Sequence, residues 1–180
     1  MGLKTLLEQK RETILGEWFE LIAGSYPQAT SEFLAKQADR FGNPVGHAIS
    51  QSIGAIYDQV VSAMNRDELL HALDGIIRIR AVQDFSPSEA VAFVFQLKAV
   101  IRDVMDEQLR GSEKWDDVVD LESRVDRVAL LAFEKYTECR EQLHRVRNRE
   151  IESRAMKVLE RVKVEPAISL DEEEPTDDDA

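Results

Sequence analysis

From residue 112 to residue 164 the sequence contains neither glycine nor proline, the two residues that most often interrupt a helix. Apolar residues recur in this stretch at intervals of three and four, which is the period of an α-helix with one buried face. A helix of roughly fifty residues would be about 75 Å long. Such a helix is longer than a domain of this size needs. The sequence therefore predicts an all-α protein whose last helix either bends or projects from the body.

The same periodicity predicts five shorter helices before the long one. They cover residues 3–22, 30–41, 44–64, 65–82 and 86–109. The clearest start is the last, where Ser86 is a typical N-cap, Pro87 suits the first helical position and Glu89 completes a capping box. The helix that follows is apolar on nearly every side, so we expect other helices to surround it. No strand period of two competes with this pattern, and the predicted fold is a helical bundle.

Charge divides the chain into a body and a tail. Residues 165–180 hold eight acidic residues and no basic one, so the rest of the chain carries only −4 of the net charge of −12. Like charges and two prolines predict that these residues form a disordered acidic tail. We expect a helical domain over residues 1–145 and a projecting continuation of the last helix over residues 146–164. The body has no basic stripe with stacking aromatics, which excludes nucleic acid as the expected partner.

Neither a membrane span nor a secretory signal is expected. No run of about eighteen apolar residues occurs, and charged residues stand at the N-terminus where a signal peptide would need its apolar region. We therefore predict a cytoplasmic protein that does not insert into a membrane. Cys139 is the only cysteine, which excludes an intramolecular disulfide and an all-cysteine metal site.

Residue patterns typical of catalysis are missing from the sequence. There is no nucleophile elbow, no cysteine close to a histidine and no distinctively spaced carboxylate pair, so we predict no enzyme activity and no metal site. Two histidines remain as candidate ligand-binding residues. His47 follows a Gly-Asn-Pro turn, and His71 has Glu68 three residues before it. For a single histidine a surface or boundary position is the commoner interpretation.

A second set of candidates lies where the fourth and fifth predicted helices meet. Arg78, Arg80, Gln83 and Asp84 cluster there beside an apolar helix, and core packing does not require polar groups at these positions. Two interpretations stay open. The arginines pair with acids or cap carbonyl groups, or they face a pocket that binds an anion or a partner protein.

Four segments resemble the RsbRD-type N-terminal domain, which is named for its place in RsbR-like co-antagonists of the stressosome. They are residues 41–46, 79–88, 93–98 and 132–141, and the string Arg-Ala-Val-Gln-Asp-Phe-Ser-Pro-Ser at residues 80–88 is the most specific. The resemblance covers about residues 5–160. It implies a globin-like helical bundle without haem. By that comparison the iron-binding position falls near Arg80, and since arginine does not ligate haem iron, no cofactor is expected.

The resemblance also implies a function. It predicts a sensory or regulatory protein that acts by protein–protein contact, as a homodimer or with a regulatory partner, through its long last helix. We expect no STAS domain after that helix, so the phosphoacceptor output of the co-antagonists is not carried over. The alternative is a small-ligand or cofactor-binding accessory protein with a pocket near His47, His71 and Arg80. For this alternative, stand-alone relatives imply an association with the membrane complex of dissimilatory sulfite reduction.

Overall fold

A computed structural model of the chain describes residues 2–36, 42–83, 85–109 and 115–161. Within these ranges the protein contains seven α-helices and no strand, which confirms the all-α prediction. The helices are α1 Leu3–Gln9, α2 Arg11–Gly24, α3 Gln28–Lys36, α4 Pro44–Val61, α5 Arg66–Val82, α6 Pro87–Leu109 and α7 Trp115–Arg161. The long last helix is also confirmed, at 47 residues.

The first predicted helix is divided into α1 and α2, so the prediction of one continuous helix was wrong. Lys10 lies between them with φ −95° and ψ 4°, away from helical values. The break coincides with a hydrogen bond in which the Tyr57 hydroxyl donates to the Leu7 carbonyl at 2.9 Å. A continuous helix would offer that carbonyl to the Arg11 N–H. The predicted end of the next helix, at Phe41, lies outside the described residues.

The predicted helix starts are confirmed for α4, α5 and α6. The Asn43 side chain accepts a hydrogen bond from the Gly46 N–H at 2.7 Å and donates one to the Leu34 carbonyl at 3.1 Å, which ties α3 to α4. A Cβ atom at Gly46 would lie 2.2 Å from the Asn43 amide nitrogen, so this position requires glycine. At α6 the Ser86 N–H donates to the Glu89 carboxylate at 2.9 Å, as the capping box predicts.

The core forms where α2 packs against α4 and α6 and where α4 packs against α5. Trp18 of α2 is fully buried; its ring centre lies 6.2 Å from that of Phe93 on α6, and its indole N–H donates to the Phe93 carbonyl at 2.7 Å. Helices α4 and α5 approach closely at Gly75, because a Cβ atom there would lie 2.4 Å from the Ser52 hydroxyl. Side chains of the first part of α7 complete this core.

Several apolar residues that were predicted to face inward are exposed. The expectation that other helices surround α6 was wrong, since Phe95 is 48% exposed and its neighbours Ala92 and Ala99 on the same face are also exposed. Apolarity alone does not reveal which face of a helix its neighbours cover. Six further residues that the helical period places on an inward face are also exposed, namely Leu21, Phe33, Trp115, Val119, Phe133 and Leu143.

The chain divides into two units, Met1–Leu143 and His144–Ala180. In the second unit residues 144–161 are helical, and every side chain from 144 to 160 is exposed. Five large apolar side chains are among them, namely Val146, Ile151, Met156, Val158 and Leu159. The predicted acidic tail, residues 165–180, lies outside the described residues. No helix in the described ranges is long and apolar enough to cross a membrane.

Candidate functional site

Arg80 lies inside the core, in the last turn of α5. The residue is only 1% exposed. The guanidinium carbon lies 5.3 Å from the ring centre of Tyr26, 4.9 Å from that of Phe85 and 5.1 Å from that of Phe93. Aromatic faces attract a cation at such distances. Three rings therefore stabilise a charge that has been removed from water.

Hydrogen bonds from Arg80 join the end of α2 to the start of α6. Nη1 donates to the Glu89 backbone carbonyl at 2.9 Å, and Nη2 donates to the Ser25 hydroxyl at 2.8 Å. Ser25 in turn donates to the Ile22 carbonyl at 2.6 Å. Among the described residues Arg80 bonds no carboxylate, and burial lowers its pKa. Of the two sequence-based interpretations, carbonyl capping is therefore observed for Arg80.

Two buried polar atoms at this place have no hydrogen-bond partner within the described part of the chain. They are Nε of Arg80 and the hydroxyl oxygen of Tyr26, a residue that is 6% exposed. Buried polar atoms are nearly always hydrogen-bonded, by protein or by ordered water. Both groups carry a proton that they can donate. The corner thus holds a buried positive charge and two donors without a well-formed hydrogen bond, and Tyr26 lies near enough to the guanidinium to oppose the lowering of the pKa of Arg80.

The other predicted corner residues lie in different surroundings. Arg78 is exposed and pairs with Asp74 at 2.7 Å, and Lys135 of α7 lies 3.0 Å from the same carboxylate. Burial alone would raise the pKa of Asp74, but hydrogen bonds from Arg78 and Lys135 lower it. Gln83 is exposed and follows the last residue of α5. Asp84 lies outside the described residues.

The two candidate histidines do not join the Arg80 cluster. His71 is exposed on α5. His47 is half-buried on α4 and lines a groove of about 780 Å³ between α2 and α4, whose wall includes neither His71 nor Arg80. His71 and Arg80 are nine residues apart, which places them on opposite sides of α5. A ligand-binding role for the three residues stays a prediction. No group of His, Cys, Asp and Glu residues within the described ranges could hold a metal ion.

Two cavities flank the segment between α5 and α6, which we call the α5–α6 corner (residues 81–83 and 85–89). One, of about 380 Å³, is lined by Tyr26, Pro27, Thr30, Gln83, Phe85 and Glu89. The other, of about 460 Å³, is lined by corner residues and by Phe133, Tyr136, Thr137 and Arg140 of α7. Phe85 and Glu89 line both cavities. The corner is therefore a thin wall between them.

Helix α7 holds this corner by two side chains one turn apart. The Tyr136 hydroxyl donates to the Phe85 carbonyl at 2.7 Å, and Nη1 of Arg140 donates to the Ala81 carbonyl at 3.0 Å. Any displacement of the corner backbone therefore reaches α7 directly. The sequence-based search missed Tyr136 and Arg140, as well as Ser25 and Tyr26 of the Arg80 cluster. Tyr136 and Arg140 could have been found together from their i, i+4 spacing, which places both side chains on one face of a helix.

Comparison with known proteins identifies the family. A family model described as the RsbT co-antagonist protein rsbRD N-terminal domain matches residues 12–151. No curated protein and no solved structure matches the chain. The likeness to globins stays a prediction. Because the matched segment covers most of the chain, and because the all-α fold agrees with it, the chain belongs to the family of RsbT co-antagonist protein rsbRD N-terminal domains.

Proposed function

We propose that this chain is a non-catalytic sensory and regulatory protein that acts by protein–protein contact. Family membership supports the proposal, since the family is defined from a domain of co-antagonist proteins. In this proposal the α5–α6 corner receives the signal and α7 passes it on. A cytoplasmic location belongs to the same proposal, and fractionation of the source cells tests it.

The observation that carries the proposal is an apolar surface left exposed along α6 and α7. Lys98 pairs with Asp126 and Arg102 with Glu122, so the two helices run antiparallel here. From that register we infer that Phe95 lies at about the level of Leu130. Phe95 is 48%, Leu130 70% and Phe133 51% exposed; we call these three residues the α6–α7 face. Contiguous exposed apolar side chains usually mark a binding surface.

A second copy of the chain suits the α6–α7 face. A two-fold dimer brings the same patch of both copies together, so a patch that is apolar is complementary to itself. The neighbouring charges are already paired within the chain, Lys98 with Asp126 and Arg102 with Glu122 at 2.6 Å in each case. Covering the face would therefore not bury any of these four charged residues without its partner.

The corner supplies the input in this proposal. Tyr136 and Arg140 bond the carbonyl groups of Phe85 and Ala81, so a molecule that displaces the corner changes the hydrogen bonds of α7. Residues 144–161 of α7 offer a further contact segment, with Ile151 and Val158 each 59% exposed. A ligand can shift such an equilibrium only by binding one arrangement more tightly than the other.

Light scattering after gel filtration tests the dimer, with Phe95→Ser as the variant and Phe33→Ser as its matched control. Phe33 lies on α3 and is 47% exposed, nearly the same as Phe95 at 48%. We expect Phe95→Ser to weaken dimerisation by about tenfold or more, because one buried phenylalanine is worth roughly 1.5–3 kcal/mol. Phe33→Ser should leave it unchanged.

Truncation tests the contact segment. A chain that ends at Arg145 should keep a folded body but lose partner recovery from source-cell extracts. A wild-type chain that is monomeric at its highest soluble concentration, together with partner recovery that survives both Phe95→Ser and truncation, would overturn the proposal.

A second candidate function is that of a small-ligand-binding accessory protein, and the 380 Å³ cavity beside Arg80 favours it. Native mass spectrometry of protein purified from its source cells detects a retained small molecule. The second function is supported if dimerisation and partner recovery do not change when that molecule is removed, whereas a change supports the first. The link to dissimilatory sulfite reduction stays an untested prediction.

A further inference from the structure

We propose that the 380 Å³ cavity beside the α5–α6 corner binds a small organic monocarboxylate, whose carboxylate group bonds Arg80 and Tyr26 and whose apolar body packs on Phe85. This inference rests on the proposed sensory function, to which it adds the chemical class of the signal. Neither the family match nor the sequence assigns a ligand to this cavity.

The first step is the buried charge of Arg80. Its two terminal nitrogens bond neutral groups, the Glu89 carbonyl and the Ser25 hydroxyl. A buried cation that bonds no carboxylate of the described ranges attracts an anion that approaches through the low-dielectric interior. Arginine also recognises the planar carboxylate group by parallel hydrogen bonds better than lysine does.

The second step is the pair of unused donors. Nε of Arg80 and the Tyr26 hydroxyl are both buried and both lack a partner among the described residues. The two oxygens of a carboxylate can accept one hydrogen bond from each donor. An uncharged amide of the same shape offers a single oxygen acceptor in place of two, and it gains nothing from the charge of the guanidinium.

The third step is the route from the cavity to the cation. Tyr26 and Phe85 line the cavity, and their ring centres lie 5.3 Å and 4.9 Å from the guanidinium carbon. These two rings, which meet edge to face at 5.3 Å, therefore separate the cation from the cavity. Phe85 is half-buried and stands between α5 and α6 rather than within a helix. Rotation of its ring admits the carboxylate.

Cavity size and the charge at its rim narrow the ligand class. About 380 Å³ is near the lower end of the range for small-molecule sites, which suits a single ring or a short chain. Glu89 lines the same cavity, and hydrogen bonds from Ser86 keep its carboxyl group ionised by lowering its pKa. A second negative charge on the ligand would be repelled, so sulfate, phosphate and dicarboxylates are disfavoured.

The test uses the full chain with sodium benzoate as the probe and benzamide as an uncharged molecule of nearly the same shape. Two-dimensional amide NMR follows Thr30, Gln83 and Phe85, which line the cavity. We expect saturable shifts of these amides with benzoate and much smaller ones with benzamide. Sodium sulfate at matched ionic strength should not reproduce them.

Matched variants locate the binding. Tyr26→Phe removes one hydroxyl and should weaken benzoate binding about tenfold, the effect of one hydrogen bond to a charged group. Tyr57→Phe is the control, because its hydroxyl bonds the Leu7 carbonyl on a different helix pair. Arg80→Lys should weaken binding at least as much, with Arg78→Lys as its control. If Arg80→Lys does not fold, the effect of Tyr26→Phe on benzoate binding still tests the carboxylate site by itself.

Three results would overturn the proposal: no saturable binding of benzoate, equal binding of benzoate and benzamide, or benzoate binding that Tyr26→Phe leaves unchanged. None of them affects the dimer measurement with Phe95→Ser, which tests the proposed function separately. Conversely, a monomeric chain that binds benzoate as expected would overturn the dimer and keep the carboxylate site.

Discussion

Arg11 and Arg80 occupy two regions of the same helical body and have opposite surroundings. Arg11 is partly exposed and holds Asp58 by two hydrogen bonds of 2.8 and 2.9 Å, which raise its pKa despite some burial. Arg80 is fully buried among aromatic rings, bonds neutral groups, and has a lowered pKa because of that burial. In the unfolded chain, water can replace most of the hydrogen bonding that Asp58 provides to Arg11. The surroundings of Arg80 exist only when α2, α5 and α6 are assembled.

The sharpest test of this difference is Arg80→Ala. It should lower the free energy of unfolding by about 3 kcal/mol, because it removes a large buried side chain and leaves the Ser25 hydroxyl and the Glu89 carbonyl without their donor. Urea unfolding measures the loss. Arg80→Met, which refills the volume without the charge, should lose clearly less. Equal losses for Arg80→Ala and Arg11→Ala would show that the two regions do not differ as described.

The next effect is expected at the connection between the corner and α7. Tyr136→Phe deletes the hydroxyl that bonds the Phe85 carbonyl at 2.7 Å and should destabilise the protein by about 1 kcal/mol. Amide hydrogen exchange at residues 85, 86 and 88–90 should become faster. Thr137→Val is the control, since Thr137 is exposed and its hydroxyl donates to the Phe133 carbonyl of the same helix. Exchange that stays unchanged in Tyr136→Phe would refute a direct link between the corner and α7.

A smaller effect is expected at Arg11. Arg11→Ala should cost about 0.5–1 kcal/mol, and the difference from wild type should shrink as salt is added, because a partly exposed ion pair is screened. Thermal unfolding at low and high salt measures it. For Arg80→Ala the loss should hardly depend on salt. If the stability lost in Arg11→Ala does not depend on salt, the expected difference between a partly exposed and a buried arginine is contradicted.

The smallest expected effect concerns Glu89, whose carboxylate is fully exposed at the start of α6. Hydrogen bonds from Ser86 lower its pKa below the ordinary 4.5. The folded state therefore binds this proton less readily than the unfolded state. The contribution to stability is present above pH 4.5 and is lost as the pH falls through the lowered pKa. Glu89→Gln should flatten this part of the pH–stability curve, which urea unfolding at a series of pH values measures.

Helix starts could be predicted from the sequence because caps are local. Ser86 bonds Glu89, three residues further on, as the capping box predicted, and the side chain of Asn65 accepts a hydrogen bond from the Glu68 N–H at the predicted start of α5. Exposure could not be predicted in the same way. Phe95 and Phe93 are equally apolar, yet Phe95 is 48% and Phe93 1% exposed, because the packing of whole helices decides which face is covered.

The candidate site was predictable only in part. Arg80 was found because a charged residue stood where packing did not require one. Its partners were not, since Arg80 and Ser25 are 55 residues apart in sequence and Tyr136 and Phe85 are 51 apart. Contacts at such separations follow from tertiary packing and leave no periodic signal. Asp84, a fourth candidate, lies outside the described residues, so its role stays a prediction.

The burial of Trp18 has a spectroscopic consequence. Trp18 is 0% exposed, whereas Trp115, the other tryptophan of the chain, is 68% exposed. Iodide should therefore quench the emission of Trp115 and leave that of Trp18. The Trp18 ring lies 6.2 Å from that of Phe93, whose centre is 5.1 Å from the Arg80 guanidinium carbon. In a Trp115→Phe chain the remaining tryptophan is thus an internal reporter of the Arg80 cluster that needs no attached dye.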